Sequence, residues 1–339
     1  MKKLQLLLIF SLFGHVVMTN EVNVYTSRHY DSDDALYEEF TKETGIAVNI
    51  VSGKGSALLQ RLKAEGVNSP ADIFFTVDAG NLWKVQREDL FQSIKSEQIL
   101  KVVPENLRGP NNEWTAIAKR ARVIFYNPDN VNEKMIKGIS YEDLANPEWK
   151  NKIVIRSSSN MYNQSLVASL IASLGEVNTE IWAKKLVNNL ARKPQGNDRS
   201  QIIAVANGEA DIAIANSYYI GIMLSGSAGE DQLTAANKVR MIFPNQDNRG
   251  THINISGAGI LKNSPNPKNA NLFLEFLLSK RVQKYMVDKS YEYAILDGVL
   301  PSKEIASFGI SFKEDQTSVQ KYGELNPDAV RLMDRSGWK

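Results

Sequence analysis

The N-terminal third of the chain alternates between short apolar strands and amphipathic helices, and this alternation limits the possible folds more than any other feature. The predicted strands cover residues 21–27, 46–51 and 70–77, and a helix follows each of them. Repeated strand–helix units predict a mainly parallel sheet that is covered by helices. Ligands of such sheets bind beyond the carboxyl ends of the strands, and Tyr30 lies at one of those ends.

Two long extended segments further along the chain predict a second lobe. Residues 114–127 and 239–261 have the pattern of extended chain, and the roughly 115 residues between them match the size of a small domain. The length of 339 residues also exceeds what one hydrophobic core usually supports. We therefore predict an α/β protein of two lobes that face each other across a central ligand cleft. Residues 21–120 and 245–339 would form the first lobe, and residues 121–244 the second.

Two helices are predicted near the end of the chain. Residues 269–287 carry apolar side chains at helical spacing and are expected to form one long amphipathic helix. Residues 327–333 are expected to form the last helix and to pack on the first lobe.

The first twenty residues have the pattern of an export signal. Lys2 and Lys3 precede an apolar run over residues 4–18, which is too short for a membrane-spanning helix. We predict a signal peptide over residues 1–20 and a periplasmic protein. Without Lys2 and Lys3, the 40 basic residues fall to 38 and equal the 38 acidic ones. A balanced charge does not favour nucleic acid or an anionic membrane as a partner, and we expect a monomer.

The cysteine and histidine content limits the kind of metal site that the chain can build. There is no cysteine, which excludes disulfides, thiolate ligands and a cysteine nucleophile. Of the three histidines, one lies in the predicted signal, and only His29 and His252 remain. A histidine-rich site is therefore excluded, and a metal here would have to be held mainly by oxygen.

Four tyrosines share a position where a strand gives way to the start of a helix. They are Tyr30, Tyr162, Tyr218 and Tyr219. Neighbouring side chains of a strand point to opposite faces, so Tyr218 and Tyr219 could share a ligand only if the strand ends just before them. Residues 216 and 217, Asn and Ser, are typical of such a break. The simpler alternative is that one ring packs in a core and the other lies on the surface.

Tyrosine oxygen suits a highly charged cation. A free phenol has a pKa of about 10, so a phenolate at neutral pH needs a strong cation or a positive local field. Ferric iron prefers hard anionic oxygen donors, and three phenolates would neutralise its charge. A fourth would leave a net negative site, which Arg120 or Arg122 could compensate from behind the ligands. His29 could be a fifth ligand, but a hydrogen-bonding role is the better interpretation because adjacent strand residues diverge.

The chain resembles the ferric-ion-binding periplasmic proteins that supply iron ABC transporters, and within them the cyanobacterial-type members. The resemblance covers essentially the whole chain after the signal. Four motifs carry it together: residues 25–30 (YTSRHY), residues 69–74 (SPADIF), residues 146–150 (NPEWK) leading to 160–165 (NMYNQS), and residues 208–211 (GEAD) leading to 216–219 (NSYY).

The resemblance implies a type II periplasmic binding protein fold whose two lobes close on Fe(III). Its ligands would be Tyr30, Tyr162, Tyr218 and Tyr219, with His29 and Arg122 as auxiliary residues. It also implies that the protein delivers ferric iron to an inner-membrane ABC permease. The acidic ligand of some other branches has no counterpart that we can assign. The resemblance therefore leaves open whether water or a small anion such as carbonate completes the shell.

Two alternatives use related architectures. A binding protein for another small ligand, an anion or a sugar, would have the same fold, because fold does not determine function. An enzyme is the second alternative. The tetrapyrrole-building deaminase of similar lobes needs a cysteine, and the chain shows neither a Gly-x-Ser-x-Gly elbow nor a His-Glu-x-x-His motif. We therefore expect a protein without catalytic activity.

Overall fold

The computed structural model describes residues 20–28 and 30–339, where eight strands form one mixed sheet. The strands are β1 (Glu21–Thr26), β2 (Ala47–Ser52), β3 (Ile73–Val77), β4 (Thr115–Tyr126), β5 (Ile153–Val154), β6 (Ile212–Asn216), β7 (Arg240–Ile242) and β8 (Ile253–Ile260). Their order is β2-β1-β3-β8-β4-β6-β5, and β7 also pairs with β4. The predicted signal peptide lies outside the described residues except for its last position.

Fifteen α-helices surround the sheet in the same described residues. They are α1 (Asp33–Thr44), α2 (Gly55–Glu65), α3 (Ala79–Arg87), α4 (Glu97–Val102), α5 (Glu133–Ile136), α6 (Met161–Leu174), α7 (Glu176–Asn188), α8 (Asp198–Ala206), α9 (Tyr218–Leu224), α10 (Glu230–Lys238), α11 (Pro267–Leu277), α12 (Lys280–Ser290), α13 (Lys303–Ala306), α14 (Gln320–Glu324) and α15 (Asn326–Arg335). No helix in these ranges is both long enough and apolar enough to cross a membrane.

The predicted alternation of strands and parallel pairing is confirmed at the start of the chain. Strand β1 pairs in parallel with both β2 and β3, and β5 pairs in parallel with β6. All the side chains of β6 and β8 are buried, as expected for central strands that helices cover on both faces.

The long strand β4 connects two segments of the sheet. Its residues 115–121 pair with β8, and its residues 122–126 pair with β6 and β7. We call β1, β2, β3, β8 and the first half of β4 the first sheet segment. The second sheet segment contains β5, β6, β7 and the second half of β4. The other predicted crossing, residues 239–261, contains β7, a loop and β8. The exact lobe boundaries stay a prediction.

The prediction of one helix over residues 269–287 was wrong. The chain forms α11 and α12 instead, and α11 ends at Leu277. The side chain of Ser279 then accepts a hydrogen bond from the backbone N–H of Val282 and caps the second helix. A capping serine starts a new helix because its oxygen satisfies an N–H group that has no partner within the helix.

The expected packing of the last helix on the first lobe was also wrong. Helix α15 packs on α6 and α7, which follow strand β5 of the second sheet segment. Arg335 of α15 forms ion pairs with Glu176 and Glu180 of α7. Beyond the helix, the ring of Trp338 lies 6.2 Å from that of Trp182. Burial of this aromatic pair explains the position, since large rings contribute most of the apolar area of such contacts.

Candidate metal centre

Tyr218 and Tyr219 lie side by side in the first turn of α9. Strand β6 ends at Asn216, and α9 begins at Tyr218, so the strand breaks where the sequence predicts. The two ring centroids are 4.3 Å apart and the ring planes are inclined by 37°. Tyr218 is only 3% exposed, and Tyr219 is partly buried against the same core. The alternative of one core ring and one surface ring therefore does not describe this pair.

Tyr162 reaches the same place from the start of α6. The side chain of Asn160 accepts a hydrogen bond from the Tyr162 backbone N–H and caps the helix. This cap holds Tyr162 in the first turn. The hydroxyl oxygens of Tyr162 and Tyr218 are 3.4 Å apart. Two segments distant in sequence thus bring their phenol oxygens close enough to contact one ion.

Tyr30 joins the cluster through Arg120 of β4. The Nη2 atom of Arg120 donates a hydrogen bond of 3.1 Å to the Tyr30 hydroxyl. The same guanidinium lies over the ring of Tyr218 at 4.8 Å and over that of Tyr162 at 5.7 Å. Arg120 therefore contacts three of the four predicted tyrosines. His29, the fifth predicted residue, lies outside the described residues.

Burial favours the protonated form of three of these phenols, those of Tyr30, Tyr218 and Tyr219. It raises the pKa of Tyr30 and Tyr218 above the ordinary value of 10, and that of Tyr219 to about 12. The negative charge of Glu292 adds to this effect for Tyr30. A cation must therefore displace protons from these phenols when it binds.

Glu292 is the most important residue near the phenols that sequence reasoning missed. Its carboxylate accepts hydrogen bonds of 2.5 Å from Arg28 Nη1 and from Arg120 Nε. Burial opposes its ionisation, but Arg28 and Arg120 lower the pKa of Glu292 to about 2. The sequence carries no signal for this role, since Glu292 lies outside the four motifs and far along the chain from the four predicted ligands.

The charges of this network cancel around Tyr30. Arg28 also donates a hydrogen bond of 2.7 Å from Nε to Asp33, and its guanidinium lies 4.2 Å above the Tyr30 ring. Two arginines, Arg28 and Arg120, thus face two carboxylates, Asp33 and Glu292. Because the network itself is neutral, the charge of phenolates must be balanced mainly by a bound cation.

Arg122 lies behind the phenols and makes no hydrogen bond to them. Its guanidinium donates to the side-chain oxygens of Asp198 at 2.8 Å, Asn216 at 3.0 Å and Asn163 at 2.6 Å. Asn163 follows Tyr162 directly, and Asn216 precedes the tyrosine pair by two residues. Of the two arginines named from the sequence, Arg120 contacts the phenols, and Arg122 holds the segments that carry them.

The four tyrosines are the candidate metal ligands, and their donor atoms are phenol oxygens. Within residues 20–28 and 30–339, no group of three or more His, Cys, Asp or Glu side chains is arranged to hold a metal ion. Hard phenolate donors select for hard, highly charged cations. The arrangement can therefore bind a trivalent ion in exchange for phenol protons.

Comparisons with known proteins agree with this chemistry. A model of the bacterial extracellular solute-binding protein family matches residues 26–284. Iron uptake protein A1 of Synechocystis is 49% identical, over 94% of this chain and 88% of that protein. The major ferric iron-binding protein of Neisseria meningitidis is 29% identical, over 94% and 93%. A Trichodesmium protein (IdiA, FutA) solved in complex with iron and citrate ligands is 52% identical, with a TM-score of 0.90 over 94% of this chain and 100% of that chain.

Proposed function

The chain belongs to the family of bacterial extracellular solute-binding proteins, and from this premise we propose that it captures ferric iron and delivers it to an inner-membrane ABC permease. Relatives that cover nearly the whole chain are named as iron uptake and ferric iron-binding proteins. These relatives are binding proteins, and binding without catalysis is the activity that we propose here. The periplasm is the proposed location, since the first twenty residues have the pattern of an export signal.

The contact between the phenol oxygens of Tyr162 and Tyr218 carries the proposal. Tyr30, Tyr162, Tyr218 and Tyr219 are the proposed ligands. The 3.4 Å contact of two hydroxyls, the paired rings of α9 and the shared neighbour Arg120 support this assignment. The ligands come from both sheet segments, so iron would link the proposed lobes and favour closure of the cleft.

Oxygen donors are also the proposed source of the rest of the coordination shell. We propose that water or a small anion occupies the remaining positions, in keeping with the iron and citrate ligands of the Trichodesmium relative. His29 is proposed as a hydrogen-bond partner of the ligands, and Arg122 as a residue that orients the segments of Tyr162 and Tyr218.

A titration with ferric citrate, followed by visible absorption, tests the proposal. Tyrosinate bound to Fe(III) absorbs visible light, so the purified protein should turn red to orange and saturate at one iron per chain. Binding should release protons, because burial raises the pKa of Tyr30, Tyr218 and Tyr219, and the release can be measured in weakly buffered solution. A protein that stays colourless would leave a different small ligand, an anion or a sugar, as the cargo.

A further inference from the structure

One buried carboxylate joins the first sheet segment to the helix that carries Tyr162. Asp78 follows β3, and the hydroxyl of Ser165 in α6 donates to its two carboxylate oxygens at 2.9 and 3.0 Å. Asp78 is 1% exposed and Ser165 is fully buried. A hydrogen bond in a water-free position is costly to lose, because no water replaces the missing partner.

The position of Asp78 is fixed by further contacts with the start of α3 and with the first sheet segment. Its carboxylate also accepts from the backbone N–H of Gly80 at 2.9 Å and from the side chain of Asn254 on β8 at 2.8 Å. Its backbone N–H donates to Ile255 of β8 at 2.8 Å. Asp78 has a φ of 73°, a strained conformation for a residue with a side chain. The surrounding contacts hold this strained residue so that its carboxylate faces α6.

Ser165 lies one helical turn after Tyr162. Residues three apart in a helix share a face, so the side chains of Tyr162 and Ser165 project from the same side of α6. The rest of α6 packs mainly on α7, α14 and α15. The contact with Asp78 therefore places the tyrosine-bearing end of the helix relative to the first sheet segment, where Tyr30 follows β1.

We propose that Asp78 and Ser165 form a latch that stabilises the closed cleft and holds Tyr162 where it meets the other phenols. The two residues are positioning residues, since they act through the helix that carries Tyr162. The latch forms when the two sheet segments approach, and its loss lowers the closed population. Its effect on iron rests on the proposed function, whereas its effect on closure does not.

The chain offers a matched control one turn further along the same helix. Ser169 is 1% exposed, and its hydroxyl donates to the Leu166 carbonyl oxygen within α6. Ser165→Ala and Ser169→Ala both remove one buried hydroxyl from α6. Only Ser165→Ala removes a contact with the first sheet segment. Any general effect of the substitution on helix stability is therefore common to both variants.

Iron release to an excess of chelator measures the effect on the cargo. Ser165→Ala should release ferric iron about tenfold faster than Ser169→Ala, the loss expected for a hydrogen bond to a carboxylate. The position of the visible absorption band should not change, because all four phenols remain. In a cycle with Asp78→Ala, the two changes should be non-additive, because either one removes the same contact. Equal release rates for the two serine variants would overturn the role in holding Tyr162.

A distance measurement tests closure without iron. Because the chain has no cysteine, spin labels can be attached at Val67→Cys and Val177→Cys, two positions that are 79% and 74% exposed. Val67 follows α2 beside the first sheet segment, and Val177 lies in α7. Ser165→Ala should shift the label distances to longer values than Ser169→Ala. Identical distributions would overturn the latch, even if the wild-type protein bound no ferric iron and the proposed function failed.

Discussion

Arg120 and Arg122 are two residues apart on one strand and on one face of it, yet their surroundings differ. Arg120 pairs across β4 with Asn254 of β8, whereas Arg122 pairs with Asn216 of β6. The strand passes from the first sheet segment to the second between them. Arg120 contacts phenols and a carboxylate, and Arg122 contacts two amides and a carboxylate. Position along the crossing strand, and not residue type, therefore separates the arginine that contacts the phenols from the arginine that holds the segments carrying them.

The largest expected effect is the loss of ferric binding when Tyr218 and Tyr219 are replaced. Replacing Tyr218 and Tyr219 with Phe together removes two anionic donors and should weaken ferric binding by more than about 1,000-fold. Residues behind the ligands of a metal usually contribute only about 10- to 100-fold. Calorimetry or chelator competition measures the change.

A matched control for this pair is Tyr25→Phe combined with Tyr126→Phe. Tyr25 bonds to Glu65, and Tyr126 lies at the far end of β4, so neither phenol belongs to the cluster. The control should bind iron like the wild-type protein. Equal loss in both double variants would contradict the assignment of the ligands.

Arg122→Gln should mainly affect folding. The change leaves the buried Asp198 with Arg156 at 3.6 Å and the Asn216 backbone N–H at 3.0 Å as partners. It also removes the donor that serves the side-chain oxygens of Asn163 and Asn216. We expect a loss of about 3 kcal/mol in the free energy of unfolding without iron, the lower range for breaking a buried ion pair. Urea unfolding measures it. Unchanged stability would contradict the supporting role of this arginine.

Arg120→Gln should mainly affect ferric affinity and should affect stability less. Glu292 keeps Arg28 and the hydroxyls of Ser256 and Ser290 as partners, so the loss of stability should be smaller than for Arg122→Gln. The phenols lose their shared cation, and ferric affinity should fall by about 10- to 100-fold. Competition with a chelator, together with urea unfolding of both variants, gives the comparison. If the two variants lost ferric affinity and free energy of unfolding in the same proportion, the proposed difference between Arg120 and Arg122 would be wrong.

The fold could be predicted further from the sequence than the site could. Strand and helix periods are local, so the three β–α units and the strand break before Tyr218 were visible in the residues themselves. Glu292 was missed because its role depends on two arginines from distant segments. The packing of α15 was missed for a similar reason, since its contacts with α6 and α7 are long-range and leave no periodic pattern. Local patterns show which residues lie at strand ends, but they do not show which buried charges pair.

The smallest expected effect is a pH dependence on the Arg122 side of the cleft. Burial, together with the charges of Arg122 and Arg249, lowers the pKa of His252 from 6.5 to about 3. The unfolded chain therefore binds a proton between about pH 6.5 and 3 that the folded protein does not bind. Stability contributed by neutral His252 is complete above pH 6.5 and is lost as the pH falls, with a slope of at most about 1.4 kcal/mol per pH unit.

His252→Gln should remove that slope, because glutamine does not titrate. Glu292 produces a slope of the same sign, since its depressed pKa also favours folding at higher pH, but its window lies between its ordinary value of 4.5 and about 2. Urea unfolding of the iron-free protein and of His252→Gln is therefore compared between pH 4.5 and 6.5. Carboxyls whose pKa burial raises, such as those of Asp33 and Asp78, contribute equally to both proteins. The wild-type protein should lose stability across this range faster than His252→Gln does. Parallel curves would show that His252 is protonated in the folded state and that Arg122 and Arg249 do not control its charge.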